Sequence, residues 1–160
     1  MRSDIYKTIF VLDGGALLDI RVFEVTPDDW QVLLHFLSTH YQILYEENGK
    51  SEPLPTFDRM MEKRKTAAVW FKIRLTEELI VSCHFFDADQ IEMDILPEDV
   101  GSSFKAESVF ALMTAMARIL NKEVLLTPEF ASADPEQLRQ LALCSVDPKT
   151  GALKYHPQRR

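Results

Sequence analysis

The stretch AAVWFKIRLTEELIVSCHFFDADQIEMDILP, residues 67–97, decides the fold. Alternate residues along it separate into two chemical classes. Val69, Phe71, Ile73 and Leu75, then Leu79, Val81, Cys83 and Phe85, then Ile91, Met93 and Ile95 are apolar. Between them stand Trp70, Lys72, Arg74, Ser82, His84, Glu92 and Asp94. A period of two places neighbours on opposite faces of a strand, so this stretch predicts a three-stranded antiparallel meander with one buried and one open face.

Working outward, 6–12 and 17–25 are rich in β-branched and aromatic residues and flank Asp13-Gly14-Gly15, which predicts a hairpin. Thr26-Pro27-Asp28-Asp29 is a helix start, with a cap, Pro in the first turn and two carboxylates at the positive end of the dipole. Trp30, Leu33, Leu34 and Leu37 continue that helix to about His40. A strand over 41–46 and a polar turn over 47–50 follow. Pro53 and Pro55 stiffen a crossing, and 56–65 reads as a short helix with Phe57, Met60 and Met61 inward. Ser102 or Ser103 caps a long helix to about Asn121, whose Val109, Phe110, Met113, Met116, Ala117 and Leu120 recur at helical spacing. A strand over 123–127 precedes a helix started by Asp134-Pro135, which carries Leu138, Leu141 and Ala142 and has Cys144 near its end. Asp147 to Gly151 should turn the chain into an edge strand over 152–155, and the tail from about 156 should be loose. The fold class is α+β: one domain over 1–160, a single antiparallel sheet centred on the meander, and helices mainly on one face.

Composition narrows function. A net charge of −7 and only two cysteines in 160 residues point away from nucleic acid, anionic membrane and a disulfide framework. No leader and no apolar run of about 20 residues is visible, so a soluble cytoplasmic protein is expected. Acidic pairs at Asp28-Asp29, Glu46-Glu47, Glu77-Glu78 and Glu98-Asp99 could steer a basic protein partner.

The outer face of the meander is the candidate binding site: Trp70, Lys72, Arg74, His84, Glu92 and Asp94, with Ser82 beside them. Trp70, His84 and Glu92 should line up across three strands, letting His84 pair with Glu92. The alternative is a solvated face with opposite charges paired for register and solubility. Cys83 lies next to His84 in sequence but points inward, so no thiolate dyad forms. Asp87, Asp89, Glu92 and Asp94 lack the glycine and distal glutamate of an EF-hand, and the histidines show no ligand spacing. Neither a phosphate loop nor a nucleophile elbow is present. No metal, cofactor or catalytic group is expected.

Three stretches together resemble a known kind of protein. They are Leu12-Asp13-Gly14 with Asp19-Ile20 and Trp30; Cys83-His84-Phe85-Phe86 leading to Ile91-Glu92-Met93-Asp94-Ile95 and Pro97; and Leu125-Leu126-Thr127-Pro128-Glu129. Their layout is similar to cytosolic bacterial immunity proteins encoded beside contact-delivered toxins. The resemblance implies an acidic α+β domain that binds and occludes one toxin, without assigning interface residues. It departs where Phe130 follows Glu129 in place of a Thr-x-Glu-Asn ending. The function expected is non-catalytic protein binding. The alternatives are an acidic secretion chaperone, or a small enzyme or ligand-binding domain using the Trp70/His84/Glu92 face.

Overall fold

The computed structural model describes residues 5–10, 16–129 and 134–156. Its strands in chain order are β1 (Leu18–Val22), β2 (Gln42–Glu47), β3 (Lys50–Ser51), β4 (Val69–Arg74), β5 (Ile80–His84), β6 (Ile91–Ile95), β7 (Val124–Pro128), β8 (Cys144–Val146) and β9 (Leu153–Tyr155). Its α-helices are α1 (Ile5–Ile9), α2 (Pro27–His40), α3 (Phe57–Lys63), α4 (Ser103–Leu120) and α5 (Pro135–Leu141). The strands form one antiparallel sheet in the order β3-β2-β4-β5-β6-β1-β7-β8-β9. The expected α+β class holds, and the β4-β5-β6 meander stands at the middle of the sheet.

The alternation works as read. Phe71, Ile73, Leu79, Val81, Cys83, Phe85, Ile91, Met93 and Ile95 are all buried. On β1, β7 and β8 the inward set is Leu18, Ile20, Val22, Val124, Leu126, Cys144 and Val146, and it joins the same core. Over this face lie α2 and α4, which contact one another. Trp30 of α2 stacks on Phe57 at 5.0 Å and packs on Phe85 at 5.1 Å, so α2, α3 and the sheet meet at one aromatic cluster. The opposite face is covered at β7 by α5, through a smaller core of Phe23, Leu125, Leu138 and Ala142.

Helix ends follow their caps. Thr26 and Asp29 form a reciprocal capping box at α2, Thr56 caps α3, Ser102 caps α4 and Asp134 caps α5. Asn121 ends α4 at φ 51°. Asn48 and Gly49, at φ 50° and 77°, make the tight turn between β2 and β3.

Three expectations are corrected. The strand expected over 6–12 and paired with 17–25 is not found where the chain is described: Ile5–Ile9 is helical, both edges of β1 are taken, by β6 and β7, and residues 11 and 12 lie outside the described residues. A short run rich in β-branched and aromatic residues carries too little period to separate strand from helix, and packing decides. Ile9 and Phe10 are buried, Phe10 against Phe110 of α4 at 5.8 Å between rings. The Asp13-Gly14-Gly15 turn lies outside the described residues. Cys144 is not at a helix end but begins β8, because α5 stops at Leu141 and Leu143 turns back, its N–H donating to Leu126 at 2.8 Å. The tail expected to loosen from about 156 is still held at His156, whose N–H donates to the Leu143 carbonyl at 2.9 Å; residues 157–160 lie outside the described residues.

Val81 is fully buried between β4 and β6 on the face under the helices. Val81→Asp should destabilise the protein by roughly 3–5 kcal/mol, as an unpaired charge in a core does. Chemical denaturation read by circular dichroism will check it; a midpoint equal to wild type contradicts this packing.

Candidate functional site

The register brings the expected site residues into rows across the outer face. His84 stands opposite Glu92, and Ser82 opposite Asp94, between β5 and β6. Lys72 stands opposite Ser82 between β4 and β5, and continuing that register places Trp70 beside His84. On the far side of β6, Arg21 of β1 faces Glu92 and Asp19 faces Asp94. The row Trp70, His84, Glu92 therefore forms as expected and continues into Arg21. Arg74 does not join it. It sits at the end of β4 and donates to the Glu77 carbonyl of the β4-β5 turn at 2.7 Å.

His84 pairs with Asp94 and not with the expected Glu92. Nε2 lies 2.5 Å from Asp94 Oδ2. The cause is what each carboxylate meets on β1. Glu92 faces Arg21, a permanent cation whose Nη1 lies 3.0 Å from Glu92 Oε2. Asp94 faces Asp19, a like charge, and takes its compensation diagonally from His84. Arg21 in turn reaches Asp19, Nη2 to Oδ2 at 3.0 Å. The fork of one guanidinium thus spans two carboxylates on adjacent strands.

These groups sit where the covered half of the outer face meets the open half. Asp19 is 2% exposed and Arg21 6%, while the side chains of Glu92, Asp94 and His84 remain about one-fifth exposed, at 21%, 20% and 23%. Burial pushes the Asp19 carboxyl up to about 6, against the opposing pull of Arg21. Burial also raises Glu92. The hydrogen bond to Asp94 raises His84, outweighing the opposite effect of its partial burial. Cys83 points into the core, and burial pushes its thiol far up, so it is no nucleophile at neutral pH.

On the open half, two aromatic rings are presented to solvent. Trp70 is 50% exposed, with Lys72 Nζ 5.5 Å from its ring centroid. Phe86 is 58% exposed and stacks on the His84 ring at 4.8 Å and 6°. Phe86 has no strand of its own, so its loop is held by other means. Arg64 Nη1 donates to the Phe86 carbonyl at 2.5 Å, Trp30 Nε1 to Ala88 at 2.8 Å, and the Val25 N–H to Asp89 at 2.9 Å. A shallow cleft of about 400 Å³ opens beside the pair, lined by Arg64, Lys65, Val69, His84 and Phe86.

Phe86, Arg64, Asp19 and Arg21 were missed as site residues. Phe86 follows the inward Phe85 at the end of a strand, where alternation loses its meaning. Asp19 and Arg21 do alternate with Leu18, Ile20 and Val22, a signal that would have placed them on the outer face. A Ser145 Oγ–His156 Nε2 contact of 2.9 Å was missed too. No carboxylate among the described residues orients that histidine, so it lacks the third group of a hydrolytic triad. No protein-family model, curated protein or solved structure matches this chain.

Two outcomes follow from this geometry. In an NMR titration His84 should titrate above its ordinary value and return toward it in Asp94→Asn, while Glu92→Gln should leave most of the shift in place. The stability this pair adds is present below the unfolded-state histidine pKa and lost as pH rises through the raised folded one, so Asp94→Asn should flatten that part of the pH–stability curve. Separately, Trp30→Phe removes the donor to Ala88 and should speed amide hydrogen exchange across 86–90 before it affects exchange in β5 and β6.

Proposed function

We propose that this protein is a non-catalytic protein-binding domain whose contact surface is centred on Trp70, His84 and Phe86 of the outer sheet face. The observation that carries this reading is the exposure of two large aromatic rings on backbone that is held fixed. Trp70 lies on a paired strand between β2 and β5, and Phe86 on a loop tied by Arg64 and Trp30. Exposed aromatics beside arginine and lysine are the composition of binding hot spots, and fixed presentation lowers the ordering cost of association. Lys72, Arg64 and Lys65 supply donors at the rim for carboxylates or carbonyls of a partner. At longer range the net charge of −7 draws a basic protein.

Within that class the reading extends to an immunity protein that binds and neutralises one bacterial toxin. Its support is the likeness of layout together with the acidic charge. Of the acidic pairs, Asp29 is spent on the α2 cap, Glu47 on Lys63 at 3.2 Å, and Glu78 on Lys105 at 2.7 Å. Glu46, Glu77, Glu98 and Asp99 are the members of these pairs best placed to steer a partner.

The test is co-expression with the product of the adjacent reading frame, followed by purification of any complex. The wild-type chain should protect the host and co-purify. Trp70→Ala with Phe86→Ala should keep the fold while weakening the complex by more than about 2 kcal/mol. Equal affinity of the double variant places the contact elsewhere, and small-molecule turnover abolished by His84→Ala would replace binding with catalysis.

A further inference from the structure

The outer face carries a group of ligating oxygens that the protein-binding reading does not use. Asp19, Glu92 and Asp94 each offer a carboxylate oxygen, and these lie within 4.8 Å of one another. Each carboxylate commits one oxygen to a protein nitrogen: Asp19 Oδ2 and Glu92 Oε2 to Arg21, Asp94 Oδ2 to His84. Their other oxygens make no hydrogen bond among the described residues. Arg21 is the one permanent cation bonded to these three carboxylates among the described residues.

A second observation comes from the next strand. Thr127 of β7 stands directly opposite Asp19, so both side chains rise on the same outer face about 5 Å apart at Cβ. Thr127 is 0% exposed, and its Oγ1 has no hydrogen-bond partner among the described residues. A buried hydroxyl in that condition calls for a partner such as an ordered water or an ion. Arg21 Nε is also buried without a partner, but it is a donor and calls for an acceptor.

We propose that Asp19, Glu92, Asp94 and the Thr127 hydroxyl form a binding site for a hard divalent cation of the size of Ca²⁺. All four donors are oxygen, which excludes a preference for soft metals. Calcium–oxygen distances of about 2.3–2.6 Å let two ligands of one ion stand about 5 Å apart, whereas Mg²⁺, at about 2.0–2.1 Å, needs them closer. The site spans β6, β1 and β7, three strands inside the sheet, so the donors stand on paired backbone. Because Asp94 also holds His84, an ion there is felt by the His84 ring, and this proposal stands whether or not the face binds a protein.

The full-length chain, stripped with chelator, should be titrated with Ca²⁺, Mn²⁺ and Mg²⁺ separately by calorimetry, with the His84 ring signals followed by NMR. One ion per chain should bind with Kd below about 1 mM, Ca²⁺ more tightly than Mg²⁺, and the His84 signals should move. Asp94→Asn and the isosteric Thr127→Val should each weaken binding at least about tenfold, since even outer-shell changes at metal sites cost that much. Glu92→Gln, at a one-fifth exposed side chain, supplies the same comparison if either variant fails to fold. Absence of saturable binding by the wild type below about 1 mM overturns the proposal. So does an affinity left unchanged by Asp94→Asn or by Thr127→Val, because the ion would then lie elsewhere.

Discussion

Everything in this protein depends on the insertion of β1 between β6 and β7. That strand brings no free edge and no solvated face: all its residues, Leu18 to Val22, are buried. Its pairing joins the meander to β7, β8 and β9, so one continuous sheet can carry one continuous core. A strand buried on both faces would ordinarily be apolar throughout. Here two of its five residues, Asp19 and Arg21, are charged, and the sheet accommodates them because Arg21 pairs both with Asp19 on its own strand and with Glu92 on β6.

That accommodation sets the electrostatics of the outer face. Arg21 offsets the cost of burying Asp19 only in part, and the carboxyl stays near 6. The charge imbalance passes outward along the register to Glu92, to Asp94 and finally to His84, all three about one-fifth exposed to water. Each link is a consequence of the one before it. Arg21 claims Glu92, Asp19 repels Asp94, and Asp94 turns to the histidine. A buried network of this kind stabilises little by itself, but removing one member leaves the others uncompensated.

The open half of the same face is organised by aromatic rings. Trp30 in the core fixes the loop after β5 through its indole N–H, and that loop presents Phe86 against His84. Core packing, the polar network and the exposed surface thereby meet at one histidine. A change of charge at Asp94 is felt two contacts away, at the ring proposed to touch a partner.

The sequence by itself determined the meander, its inward and outward faces, and the helix starts at Thr26, Thr56, Ser102 and Asp134. These are local matters: a period of two permits only one set of buried residues, and a cap is chosen by the residues within one turn of it. The candidate row Trp70, His84 and Glu92 was legible for the same reason, since register follows once two turns are placed. Tertiary structure alone decided which strands flank β1, that residues 5–9 coil and do not pair, that Cys144 starts a strand, and that His84 turns to Asp94. Each of these depends on groups far apart in the chain competing for one edge or one charge. Arg21 stands 71 positions before Glu92, and no pattern within either strand records that the two will meet.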